Sequence, residues 1–184
     1  MINKENIEKA YQNAKERYAE LGVDTDSVIK TMDITQISMH CWQADDVSGF
    51  ENPEGDLSGG IQATGNYPGK ASTIEQVMQD VEKAMSLLPG KQRLNLHAFY
   101  GDFRDGMADR NEIEPKHFQS WADWAKDLGI GMDFNCTLFS HPKAASGYTL
   151  SSLDPSIREF WIEHVQRCRD ISEFFGKELG SKCI

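Results

Sequence analysis

Residues 38–70, SMHCWQADDVSGFENPEGDLSGGIQATGNYPGK, begin as an apolar strand (ISMHCW from residue 37) and then run for nearly thirty residues with neither a helical nor a strand period. The loop is dense in Gly, Pro, Asn and Asp but keeps the aromatics Trp42, Phe50 and Tyr67. A long structureless loop inside a compact domain is usually functional or disordered, and the retained aromatics point to order. A strand followed by an ordered polar loop is where α/β enzymes build their sites.

The same unit recurs downstream. Ser72 opens a helix with Glu75 three residues on as a capping box, its stripe is Ile74, Val77, Met78, Val81, Ala84, Met85 and Leu88, and Pro89-Gly90 stops it. A second strand follows, RLNLHAFY (93–100), then a polar loop over 101–113. Glu114-Pro115 begins a helix with Phe118, Trp121, Ala122, Ala125 and Leu128 on one face, and a third strand is IGMDFN (130–135). After the loop 136–153, Asp154 caps a long helix with Pro155 at its first position. Ahead of the first strand, read as 34–42, residues 3–21 carry a helical stripe (Ile7, Ala10, Tyr11, Ala14, Tyr18, Leu21), and 24–32 suit a short helix.

Short helix-to-strand returns and long strand-to-helix loops imply parallel strands. The expected fold is α/β, a partial (β/α)8 barrel with roughly the first three βα units plus an N-terminal helix. A doubly wound sheet is the alternative, although its G-x-G-x-x-G fingerprint is absent. A whole barrel needs eight strands and about 250 residues. The 184 residues therefore read as the N-terminal part of a single barrel domain, truncated.

Composition narrows the function. A net charge of −10 and the lack of a clustered Lys/Arg patch argue against nucleic acid. No apolar run approaches the roughly 20 residues of a membrane span, and the polar N-terminus is not a secretory signal. Cys41, Cys136, Cys168 and Cys183 lack CxxC spacing and read as free, buried thiols, which suggests the cytoplasm.

Chemistry-bearing side chains gather where strands end: His40 and Trp42, His97 and Tyr100, then Asp133, Phe134 and Asn135. His97 is the strongest candidate, since an imidazole there can move a proton to or from a sugar oxygen. On spacing alone, a buried histidine satisfied by hydrogen bonds is the commoner outcome. Trp42 and Phe134 suit an apolar wall on which a sugar face stacks, with ordinary packing as the rival. Asp133 and His141 are possible ligands, competing with hydrogen-bonding and turn-capping roles. Asp45, Asp46, Glu51, Glu54 and Asp56 suit a hard cation but lack calcium-loop spacing. Gly59, Gly60, Gly65 and Gly69 before Lys70 do not match a P-loop.

SMHCWQADDVSGFENPEGDLSGGIQATGNYPGKA, RLNLHAFY, MDFN with FSHPKAASGYTLS, and SIREFWIEH together resemble L-rhamnose isomerase, collinearly over nearly the whole chain. The resemblance implies a (β/α)8 barrel and an aldose–ketose isomerase acting on L-rhamnose or a related aldose. It further implies a divalent metal, commonly Mn²⁺, and a cytoplasmic homotetramer. It makes His97 the catalytic residue assisting ring opening, and puts Trp42, Phe134 and Phe103 against the substrate. The metal ligands are expected beyond residue 184, so no metal is expected on this chain alone and the isolated chain is expected to be inactive. A sugar-binding or assembly piece without catalysis, and another metal-dependent sugar isomerase or epimerase of the same fold, stay open as alternatives.

Overall fold

The computed structural model describes residues 3–51 and 68–183. The chain divides into two compact units, Met1–Ile37 with Pro89–Lys91 and Ser38–Leu88 with Gln92–Ile184.

The first unit holds α1 (Lys4–Ala19) and α2 (Thr25–Ile34). Asn3 and Asp24 cap them by accepting first-turn amide protons. Lys15 and Tyr11 both reach the Asp26 carboxylate from α1. The stripe expected on the first helix is present but buries nothing, and Leu21 is 78% exposed. Because α2 keeps its helical hydrogen bonds through Ile34, the first strand is shorter than the expected 34–42, and β1 covers Ile37–His40.

The second unit is built on a three-stranded sheet in the order β1-β2-β3, where β2 is Gln92–His97 and β3 is Gly131–Asn135. The β2–β3 ladder is parallel, with Leu94 opposite Met132, Asn95 opposite Asp133, Leu96 opposite Phe134 and His97 opposite Asn135. On the β1 side, Ile37 N donates to Lys91 O and Cys41 N to Asn95 O, so both strands advance in step and in the same direction. The second strand stops at His97 rather than Tyr100, because Ala98–Tyr100 wind into a 3-10 turn that turns Phe99 and Tyr100 into the core.

Alternation gives the sheet two different faces. Leu94, Leu96, Met132 and Phe134 pack on α3 (Ile74–Met85), α4 (Gln119–Leu128) and α5 (Pro155–Leu179) through Val77, Val81, Trp121, Ala125, Ile171 and Phe175. Burying each such large side chain stabilises the unit by about 1.5–3 kcal/mol. The 3.6-residue stripes read from the sequence supply this layer. The cap of α3 falls one residue later than expected, on Thr73, which accepts from Gln76 N, while the Gln76 side chain returns to Ser72 N. The helix expected from Glu114 starts as a 3-10 turn over Pro115–Phe118. The opposite face of the sheet carries Ser38, His40, Arg93, Asn95, His97, Asp133 and Asn135, and it is the polar one.

Candidate functional site

The polar face begins, at the amino end of its strands, with a closed network. Arg93 donates from Nε and Nη2 to the Asp133 carboxylate, with Nη2 to Oδ1 at 2.7 Å, and also to Met132 O and Ser181 Oγ. Ser38 Oγ donates to Asp133 Oδ2 at 2.6 Å. Gly131 makes the room: a Cβ there would lie 2.2 Å from Arg93 Nη1. Asp133 is therefore a partner of Arg93, the hydrogen-bonding role that competed with a metal or hydroxyl ligand in the sequence.

At the carboxyl end the character changes. His97 is wholly buried, and its ring lies 4.7 Å from Trp42 and 5.9 Å from His40. His40 in turn stacks on Trp42 at 4.8 Å. Phe99 and Phe139 present their edges to His97 at 5.9 Å and 6.2 Å. Burial, with smaller contributions from His40 and Arg110, pushes the His97 imidazole down to about 3, so it is neutral at ordinary pH. Its Nδ1 meets Thr137 Oγ1 at 2.9 Å. Three buried atoms here, Asn95 Oδ1, His97 Nε2 and Trp42 Nε1, have no hydrogen-bond partner among the described residues. Each such atom costs about 1–3 kcal/mol, and buried polar groups left this way call for an explanation. An aromatic wall edged by an indole N–H, an amide oxygen and an imidazole nitrogen suits a ligand with apolar C–H faces and many hydroxyls.

Three loops hold this cluster. The first, 41–51, folds around Asp45, which is 1% exposed and accepts from Tyr100 Oη at 2.6 Å and Gly49 N at 2.7 Å. Desolvation raises the pKa of that carboxyl. Asp46, Val47 and Gly49 all take positive φ, and at Gly49 a Cβ would sit 1.8 Å from the Phe99 ring. Phe50 N donates to Phe99 O at 2.7 Å, tying the loop to the end of β2. Arg110, buried to 1%, reaches Glu51 in the first loop and the Thr137 and Phe139 carbonyls in the third, with its guanidinium 5.4 Å from the centre of the Phe99 ring. His164 of α5 holds the Arg110 carbonyl at 2.7 Å. His141 also serves structure, donating from Nε2 to Asp109 and accepting from Lys143 N at Nδ1.

Of the sequence-derived site residues, His97 and Trp42 are brought together. Phe134 is not. It pairs with Leu96 in register and packs at 5.0 Å on Phe118 and 5.9 Å on Phe175, on the helix side of the sheet. Its reading as a wall beside Trp42 is corrected, because one step along a strand reverses the face. Phe103 has its ring contact with His117, at 5.5 Å, and lies against Gly101. Asp45 and Glu51 are spent on Tyr100, Gly49 and Arg110 rather than on a cation. Glu54, Asp56, Gly59, Gly60, Gly65 and Tyr67 lie outside the described residues. Arg110 and Thr137 were missed, since neither lies in a pattern that spacing reveals. Cys136, expected as a plain buried thiol, is half-buried and brought down to about 7 by its hydrogen bond with Cys168. Among the described residues no three His, Cys, Asp or Glu side chains gather as a cation site, so they do not fit the divalent metal that the resemblance implies.

A family model described as L-rhamnose isomerase (RhaA) matches residues 5–184. Proteins named L-rhamnose isomerase from Listeria monocytogenes serotype 4b and Bacteroides thetaiotaomicron are 61% and 55% identical to the chain, over 97% and 100% of it. One of the same name from Pectobacterium carotovorum is 54% identical over 97%. The chain spans less than half the length of these curated relatives, 42% of the Listeria protein and 44% of the Bacteroides one. With all but its first four residues matched by one family model, the chain belongs to the L-rhamnose isomerase family.

Proposed function

We propose that the carboxyl end of the polar face is one wall of the sugar site of an aldose–ketose isomerase that interconverts L-rhamnose and L-rhamnulose. The observation that carries this is the set of unpartnered buried atoms, Asn95 Oδ1, His97 Nε2 and Trp42 Nε1, beside stacked aromatic rings. Sugar hydroxyls would satisfy those atoms, and the Trp42 face would take sugar C–H groups. His97, neutral through burial, would meet the O1 hydroxyl and assist ring opening. Phe103, on the 101–113 loop, is retained as a residue near the methyl end of the substrate.

In the same reading the parallel strands are a portion of a (β/α)8 barrel whose interior is the polar face. The enzyme is a cytoplasmic homotetramer. A divalent cation, Mn²⁺ by the resemblance, polarises the carbonyl and hydroxyl oxygens when bound. It takes its ligands outside the described residues, and no step on the present chain runs through it. The chain alone is accordingly a sugar-binding wall without turnover.

Titrating the chain with L-rhamnose while following the His97 and Trp42 side-chain resonances tests the reading. Saturable shifts confined to these residues are expected, with no ketose formed in a coupled assay. Absence of any shift at high millimolar sugar, or ketose formation at the rate of a whole isomerase, overturns it.

A further inference from the structure

We propose that Thr137 is a positioning residue that holds His97 as the tautomer protonated on Nδ1, so that Nε2 presents a lone pair to a sugar hydroxyl. The proposal rests on the reading of His97 as sugar-facing. It follows from counting protons at one hydroxyl. Thr137 Oγ1 lies 2.9 Å from His97 Nδ1, 3.1 Å from Ala98 N and 3.2 Å from Asn135 O. A threonine hydroxyl has one proton and two lone pairs. Ala98 N–H can only donate, and Asn135 O can only accept. The hydroxyl proton therefore goes to Asn135, one lone pair takes Ala98 N–H, and the other is left for His97, which must donate from Nδ1. Were the hydroxyl instead to donate to Nδ1, the Asn135 carbonyl would face a bare oxygen lone pair. A neutral imidazole carries one proton, so Nε2 is the acceptor, and it is the nitrogen that lacks a partner beside Trp42.

The backbone at Thr137 is a second, independent observation. Its φ is +55°, an outlier for a β-branched residue. Such a conformation persists where surroundings over-determine it, and it collects at functional sites. Here Asn135 Oδ1 accepts from Thr137 N at 2.8 Å, and Arg110 donates to Thr137 O. The side chain is 1% exposed. The Thr137 backbone is thus clamped at both its N–H and its carbonyl in the pose that aims the hydroxyl at Nδ1. Relaxing Thr137 to ordinary backbone angles would carry Oγ1 off the imidazole.

Long-range ¹H–¹⁵N spectra of the labelled chain near neutral pH read the tautomer directly, without any activity. The expected pattern for His97 is a protonated Nδ1 and a bare Nε2. Thr137→Ser should keep it. Thr137→Val, which has no hydroxyl, should mix the tautomers and weaken the L-rhamnose response about tenfold, the loss of one well-placed hydrogen bond. A wild-type His97 protonated on Nε2 overturns the proposal, as does an unmixed Nδ1–H tautomer in folded Thr137→Val. The expected tautomer with no response of His97 to L-rhamnose upholds the proton count and overturns the sugar-site reading instead.

Discussion

The two ends of the polar face of one sheet are built on opposite principles. At the amino end, Arg93, Asp133 and Ser38 satisfy one another, and the guanidinium reaches on to Met132 O and Ser181. At the carboxyl end, Asn95, His97 and Trp42 each keep a buried polar atom without a partner among the described residues. Each end has a buried polar side chain at its centre, Arg93 with Asp133 at one and His97 at the other, so burial alone does not separate them. Hydrogen-bond satisfaction does. The amino end uses its polarity for stability, and the carboxyl end leaves polar atoms unpartnered, the feature on which the proposed sugar site rests, at a cost the rest of the fold offsets.

The contrast makes graded predictions. The largest effect belongs to the closed end: Asp133→Ala leaves the Arg93 guanidinium buried without its carboxylate and should cost about 3–5 kcal/mol, seen as a fall in the urea midpoint. A loss below 1 kcal/mol would mean that the two ends do not differ as described. Next comes the scaffold of the open end. Gly49→Ala combines a strained φ with overlap on the Phe99 ring, and should cost about 1–3 kcal/mol and loosen the Trp42 environment, measurable by tryptophan fluorescence. The open end itself should be nearly silent in stability. In His97→Phe the lost bond to Thr137 and the removal of an unpaired nitrogen oppose each other, each worth about 1–2 kcal/mol, while the L-rhamnose response disappears. A large loss of stability in this variant would assign His97 to the structure rather than to the ligand.

A further contrast lies in pH. Burial lowers the folded-state pKa of His97 to about 3, and it lowers those of His164 and His117 as well. Below the unfolded imidazole value of about 6.5 the unfolded chain binds more protons than the folded one. Stability is therefore complete above that pH and falls as pH drops toward the folded values. Each group contributes a slope of up to about 1.4 kcal/mol per pH unit. Urea midpoints measured between pH 7 and 5, above most of the carboxylate range, should decline, and His97→Phe should flatten the decline. Asp45, whose pKa burial raises, acts with the opposite sign and only in the carboxylate range.

Much of this was legible before any coordinates. Hydrophobic spacing placed α3, α4 and α5, and the glycines and prolines marked their ends, because local propensity and a one-sided apolar stripe agree in these segments. Parallel strands followed from the alternation of elements. The pairing of His97 with Trp42 was legible too, since both lie at strand ends. Phe134 was misplaced because a strand's two faces are told apart only once its register is set, and register is a tertiary fact. The exposure of the α1 stripe was hidden for a similar reason: a period shows that a face exists, not that anything covers it.

What the sequence determined by itself is the set of parts: α/β alternation, long polar loops behind short strands, and a family whose segments are quoted nearly unbroken along the chain. What only the tertiary structure decided is which polar groups meet. Arg110 and Thr137 lie in loops without period, and their partners, Glu51, His97 and Ala98, are far away along the chain. Hydrogen bonds between side chains and backbone at such separations leave no spacing signature, because they depend on where three loops cross and not on any repeat within one of them.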